Sequence, residues 1–195
     1  ELRGRDGLSM QVAFGGQVFW VALRLVGAHN AMNATGAFAL AIALGYSPTE
    51  CVGGLERSQA HARRLEVIDA PGEVTVVDDC YNANPASMQA ALNTVRELAS
   101  EGRAVAVLGD MLELGSEEEH EHARLVLAAS DRVELLALIG PRMKQARLEA
   151  EGRLGPNARH FEDVGELVAW LLPKLKPRDF VLVKASRAMR LERVV

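Results

Sequence analysis

The sequence predicts an α/β fold. It consists of a doubly wound, mainly parallel sheet over residues 61–195, preceded by a smaller unit of one hairpin and helices over residues 1–60. Three observations carry this reading. After the polar, aperiodic stretch Arg57 to Arg63, short aliphatic runs alternate with helix starts, and strands joined by crossover helices call for parallel pairing. Before that stretch, two apolar runs flank Gly15-Gly16, as in a hairpin with a two-residue turn. Finally, in EVTVVDDCYNANP, Glu73 to Pro85, a β-branched strand ends in aspartates, a tyrosine and asparagines just before a helix start.

In the first unit, Met10 to Phe14 and Gln17 to Leu23 are the paired strands. A helix of small apolar residues follows from about Asn30 to Leu44, with Gly45 placed just past its end. Ser47-Pro48-Thr49-Glu50 matches a capping box with proline at the first helical position, and that helix ends near Leu55. In the second unit, Leu65 to Ile68 and Val74 to Val77 flank the turn Ala70-Pro71-Gly72 and form a hairpin. Asn84 caps a helix from Pro85 to about Ala99, closed by Gly102. Ala104 to Leu108 is the next strand, and the helix after Gly115 opens on a second capping box, Ser116 with Glu119. Leu135 to Ile139 is a strand followed by a helix from Pro141. Arg159 to Phe161 is a weaker strand, Asp163 caps a helix through Leu172, and Phe180 to Val183 is the last strand before a terminal segment.

Composition excludes several classes. A hydrophobic content of 49% in 195 residues supplies a packed core, and a net charge of -4 gives no reason to propose nucleic acid as a partner. Cys51 and Cys80 stand far apart and outside any CxxC spacing, so neither a disulfide framework nor a structural zinc is implied, and a reducing cytoplasm fits. The apolar stretch Ala37 to Leu44 falls well short of the roughly 20 residues of a membrane span. The chain shows no signal peptide, and because it opens on Glu1 it is read as starting inside a longer protein.

In such a sheet, ligands bind outside the carboxyl ends of the strands. Asp79 to Asn84, Gly109 to Glu113 and Lys184 to Arg187 all follow strand ends, so three segments are expected to converge on one crevice. A helix N-terminus there favours a phosphate or carboxylate, Lys184 and Arg187 add cationic charge, and Arg187 suits a bidentate carboxylate contact.

These motifs resemble those of the Mur ligases: GAHNAMNA at Gly27 to Ala34, RRLEV at Arg63 to Val67, DDCYNANP at Asp78 to Pro85, LGDMLELG at Leu108 to Gly115 and KASRAMRLE at Lys184 to Glu192. Within that family the chain is most similar to the members that add D-alanyl-D-alanine, in which YNANP is distinctive. The resemblance covers essentially the whole chain. It implies that residues 1–60 are the later part of a central ATP-binding domain and that 61–195 are a Rossmann-like C-terminal ligase domain. It also implies a reaction of peptidoglycan precursor synthesis: ATP and Mg²⁺ phosphorylate the terminal carboxylate of UDP-N-acetylmuramoyl-tripeptide, and the amine of D-alanyl-D-alanine attacks the acyl phosphate. The enzyme would be a monomer in the cytoplasm. By the same resemblance Asn30, Asn33, Arg64 and Asp79 face ATP, with Asn33 on adenine and Asp79 on the ribose hydroxyls, while Tyr81, Asn82, Asn84, Lys184, Ser186 and Arg187 face the dipeptide.

The chain lacks the GxxxxGK[ST] loop that cradles ATP phosphates, so the phosphate-holding half, the carbamylated lysine and the metal ligands of the family belong upstream. No catalytic residue is assigned within this segment, which is expected to be inactive alone. Cys80 replaces a common serine, Ala28 a frequent larger polar residue, and Ala185 and Ala188 common glycines; a Cβ at Ala185 would restrict positive φ. Plainer roles compete at several positions: Asn84 as a helix cap, Asp78 as a backbone cap, His29 as a structural residue, Cys80 as an unreactive thiol, Met111 and Met143 as core filling, and Glu117 to Glu121 as a solvated first turn. His120 and His122 at i, i+2 lie on different helix faces and do not make a metal pair. A doubly wound binding module without chemistry, or a Mur-type ligase adding another amino acid, are the alternatives; the residue types at Asn33, Arg64 and Asp79 speak against the first and YNANP against the second.

Overall fold

Gly15 and Gly16 adopt left-handed backbone, with φ of 58° and 75°, and so turn strand β1 (Leu8–Phe14) back on β2 (Gln17–Leu23) in antiparallel register. This computed structural model describes every residue from Glu1 to Val195. Helices α1 (His29–Ala43) and α2 (Pro48–Glu56) accompany the hairpin. Leu8, Val12, Val21, Leu23, Ala34, Phe38 and Cys51 form their common core. The capping box is realised: Ser47 Oγ accepts from Glu50 N, and Glu50 Oε2 accepts from Ser47 N at 2.9 Å. That bonding holds the Glu50 carboxyl below the usual range. Glu56 Oε1 accepts from Ala22 N at 3.2 Å and ties α2 to β2. The chain divides at this point into two units, Glu1–His61 and Ala62–Val195.

The second unit runs β3 (Glu66–Ala70), β4 (Val74–Asp78), α3 (Pro85–Leu98), β5 (Arg103–Gly109), α4 (Glu118–Ser130), β6 (Leu135–Ile139), α5 (Pro141–Glu149), β7 (Ala158–Phe161), α6 (Val164–Leu171) and β8 (Asp179–Lys184), and ends in two 3₁₀ turns. Its sheet has the order β3-β4-β8-β5-β6-β7. The edge strand β3 is antiparallel and the remaining pairs are parallel, so the sheet is mainly parallel and doubly wound as the alternation predicts. Central β5 and β6 are covered on both sides; Ala104 to Leu108 are fully buried. The last strand inserts between β4 and β5, which brings three strand ends from distant parts of the sequence side by side.

Local expectations fail at three places, each for a physical reason. Leu65 has a left-handed φ of 51° and lies outside the strand, which starts at Glu66. Ser116 caps nothing: an extra 3₁₀ turn, Gly115–Glu117, precedes α4, and the serine hydroxyl donates to Glu117 instead. Gly102 is not a helix terminator in left-handed backbone. It is there because a Cβ would fall 2.0 Å from the Arg178 carbonyl oxygen.

At the amino ends of β5 and β8, the Asp179 carboxylate, 1% exposed, accepts from Arg103 Nε at 2.9 Å, from Arg103 Nη2 at 2.6 Å and from Lys176 N at 2.8 Å. This bidentate pair holds the guanidinium charged and clamps the two central strands. Replacement by Arg103→Met leaves the carboxylate buried on one backbone donor. A loss of about 2–3 kcal/mol is expected in urea unfolding, whereas a loss below about 0.5 kcal/mol would show that the clamp is ornamental.

Candidate functional site

The neighbouring strands β4, β8 and β5 end together, and each hands its chain to a polar segment. Between β4 and β8 lies an ion pair: Lys184 Nζ stands 2.6 Å from Asp79 Oδ2 and also donates to the Asn82 carbonyl at 2.8 Å. Lys184 is 2% exposed and Asp79 9%. The second oxygen, Asp79 Oδ1, accepts from Leu65 N at 3.1 Å, and Asp79 N donates to the Val183 carbonyl at 2.9 Å. One buried carboxylate thus fastens the end of β4 to the end of β8 and to the segment entering β3.

The rest of the turn is organised by its own polar groups. Asp78 Oδ1 accepts from Cys80 N at 3.0 Å, the backbone-capping role. The Cys80 thiol sits 3.4 Å from the Val183 carbonyl, and burial, reinforced by Asp78, pushes its pKa well up. Asn82 Oδ1 accepts from Ala83 N at 2.9 Å. Asn84 caps α3 reciprocally with Ser87: its Oδ1 accepts from Ser87 N at 2.9 Å, and its own N–H donates to Ser87 Oγ at 3.1 Å. Tyr81 N donates to the Arg63 carbonyl at 3.1 Å, and its exposed ring carries the Arg64 guanidinium at 4.2 Å and the Arg187 guanidinium at 5.7 Å.

On the β5 side, Ser186 N donates to the Asp110 carbonyl at 3.0 Å and Ser186 Oγ accepts from Leu112 N at 2.9 Å. Asp110, fully buried, accepts at the start of α5 from Met143 N at 2.9 Å and Arg142 N at 3.3 Å. A Cβ on Gly140, whose φ is 110°, would lie 2.4 Å from that carboxylate, so glycine is required there. His122 Nε2 accepts from Met111 N at 2.9 Å while Nδ1 contacts the Glu118 carbonyl at 2.6 Å, a pairing that the neutral Nδ1–H tautomer satisfies. Arg142 forms an ion pair with Glu118 at 2.5 Å, which keeps its guanidinium charged.

Of the residues singled out in the sequence, Asp79, Tyr81, Asn82, Asn84, Lys184, Ser186, Arg187 and Arg64 all belong to this one region of the second unit. Asn30 and Asn33 belong to the first unit, where Asn33 Nδ2 donates to Asn30 Oδ1 at 3.0 Å and Asn30 Nδ2 to the Val26 carbonyl at 2.8 Å. Lys184, read in the sequence as facing the dipeptide, directs its ammonium to Asp79 and the Asn82 carbonyl, because the acidic turn and the lysine end adjacent strands. Ala185 does not strain its loop, since its φ is not positive and its Cβ packs over Gly109. Asp110, His122 and Arg142 were missed as site supports. LGDMLELG contains the aspartate, but nothing in the local sequence shows that it caps a helix some thirty residues on. No group of three His, Cys, Asp or Glu side chains is placed to hold a metal ion, and no helix is long and apolar enough to cross a membrane.

An open sheet with charged, aromatic and amide side chains gathered where adjacent parallel strands end defines an α/β ligand-binding domain. The family described as Mur ligase, glutamate ligase domain, matches residues 63–187, and the chain belongs to the Mur ligase family. It is 39% identical over 177 residues to the UDP-N-acetylmuramoyl-tripeptide--D-alanyl-D-alanine ligase of Treponema pallidum, covering 90% of this chain and 38% of that protein. The enzyme of the same name from Bacillus subtilis is 33% identical, with 88% and 38% covered, so the chain spans little over a third of these curated relatives. Among solved structures it superposes on MurF from Acinetobacter baumannii with a TM-score of 0.86 at 30% identity, covering 97% of this chain and 41% of that one. MurF of Thermotoga maritima in complex with ADP shares the fold at a TM-score of 0.78 and 23% identity, with 97% and 45% covered.

Two outcomes are expected from this geometry. Because Lys184→Met strands a buried carboxylate, it should cost about 3–5 kcal/mol in urea unfolding, and adding Asp79→Leu should return part of that loss; a single-variant cost under 1 kcal/mol would sink the pairing argument. Because the raised pKa keeps the Cys80 thiol protonated at pH 8, Cys80 should resist a disulfide-exchange reagent until denaturant is added. Rapid labelling of the folded protein would contradict its burial.

Proposed function

We propose that this chain is the C-terminal portion of an ATP-dependent ligase that joins D-alanyl-D-alanine to UDP-N-acetylmuramoyl-tripeptide in peptidoglycan precursor synthesis, acting as a cytoplasmic monomer. The observation that carries the reading is the turn DDCYNANP, held by the Asp79–Lys184 pair at the mouth of β4 and β8, with Arg64 and Arg187 collected on Tyr81. The names and identities of the relatives support the same reaction. In it, the γ-phosphoryl group of ATP passes to the tripeptide carboxylate, and the dipeptide amine then displaces phosphate to give the amide, ADP and phosphate. The protein's task is alignment and stabilisation of developing charge.

On this reading residues 1–60 are the later part of a central ATP-binding domain, from which Asn33 contacts adenine with Asn30 beside it on the ATP side. Asp79, an acceptor, serves the ribose hydroxyls and Arg64 the nucleotide's charge. Tyr81, Asn82, Asn84, Ser186 and Arg187 receive the dipeptide, with Arg187 on its carboxylate. Lys184 belongs to the same dipeptide group and also holds Asp79 and the Asn82 backbone. Magnesium would offset phosphate charge, with its protein ligands expected mainly upstream of these residues.

In the complete ligase, Arg187→Ala should raise the KM for D-alanyl-D-alanine about tenfold, as expected for loss of a charge-assisted contact. An unchanged KM would remove Arg187 from the dipeptide site. Preference for a different amine by the wild-type enzyme would overturn the reaction itself.

A further inference from the structure

Arg64 and Arg187 are 123 positions apart by their numbering yet lean on one tyrosine ring. Arg64 is not a loose surface arginine. Its neighbours Arg63 and Leu65 have left-handed φ of 63° and 51°, uncommon for such side chains. Each is fixed by a contact to the β4 turn, Arg63 O accepting from Tyr81 N at 3.1 Å and Leu65 N donating to Asp79 Oδ1 at 3.1 Å, and Arg63 N adds a local bond to Glu66 Oε2 at 3.0 Å. The segment carrying Arg64 is therefore bonded to the root of the ring over which Arg64 lies. Arg187 reaches the same ring from the turn after β8, where Ser186 is anchored to β5 through Asp110 and Leu112. Two guanidinium groups this close repel each other, and the negative face of an aromatic ring offsets that cost within about 6 Å.

We propose that Tyr81, beyond facing the dipeptide, is a positioning residue that couples the nucleotide side of the site to the dipeptide side, because its ring sets where both guanidinium groups stand. The proposal rests on the functions given above to Arg64 and Arg187. It assigns the ring, rather than the hydroxyl, the main role, and it makes the coupling reciprocal, as linkage requires for binding.

The complete ligase tests this through its two Michaelis constants. Tyr81→Leu should raise the KM for ATP and the KM for D-alanyl-D-alanine each at least threefold, with a smaller fall in kcat. Tyr81→Phe, which keeps the ring, should bring both constants most of the way back. A second arm leaves Tyr81 in place: Arg64→Gln should raise the KM for the dipeptide at least twofold, and Arg187→Gln the KM for ATP by a similar factor. The coupling is overturned if Tyr81→Leu moves one constant only, if Tyr81→Phe is as damaging as Tyr81→Leu, or if each arginine substitution affects its own substrate alone. A wild-type enzyme without dipeptide-dependent ADP release fails the functional reading and takes this proposal with it; an active enzyme with uncoupled constants fails this proposal alone.

Discussion

A lysine ammonium at 2% exposure needs a partner, and in this domain the partner has to come from the next strand. Lys184 finds it in Asp79, and the cost of removing two charges from water is met by a short contact together with added hydrogen bonds from Leu65 and to Asn82. That requirement reaches far into the fold. The pair exists only if β8, the last strand, lies beside β4, and the order β4-β8-β5 is the one that allows it. Moving β8 by one register position would swing Lys184 to the opposite face of the sheet and leave the carboxylate without its cation.

Around that pair, polar side chains divide into those that hold backbone and those that face outward. Asp78, Asn84, Ser186, Asp110 and His122 each satisfy backbone N–H groups of turns or helix starts. Loops at strand ends would otherwise bury unsatisfied donors, so these side chains let three irregular segments sit against a dry sheet. The groups left at the surface are Arg64, Tyr81 and Arg187, gathered on one tyrosine ring.

The parts of this arrangement that were legible in the sequence are those with short-range causes. Val74 to Val77 read as a buried strand because β-branched runs do, and Asn84-Pro85 and Asp163 read as helix starts because capping is local chemistry. The remainder depends on neighbours brought together by the sheet. Lys184 and Asp79 are 105 residues apart, so nothing in the local sequence shows that they pair. Gly102 looked like a helix terminator, whereas its cause is the carbonyl of Arg178 at the start of the neighbouring strand. His122 follows an acidic turn and had no assigned role beyond not pairing with His120, although it is buried against the Met111 amide. Ser116 misled in the other direction, since a matching local pattern was pre-empted by a 3₁₀ turn.

Backbone strain next to Arg64 follows from the same frame. Left-handed conformations at Arg63 and Leu65 cost of order 1 kcal/mol each and persist only where surrounding contacts over-determine them. Here the contacts are identifiable: the Tyr81 amide on one side and the Asp79 carboxylate on the other. Asp79 serves Leu65 with one oxygen while Lys184 holds the other, so the position of an exposed arginine is tied to a buried lysine that does not touch it. A guanidinium held in advance loses less freedom when it meets an anion than one that must be ordered by binding. In the proposed ligase the buried pair acts on affinity through preorganisation, by holding the turn and the segment that carry Tyr81 and Arg64.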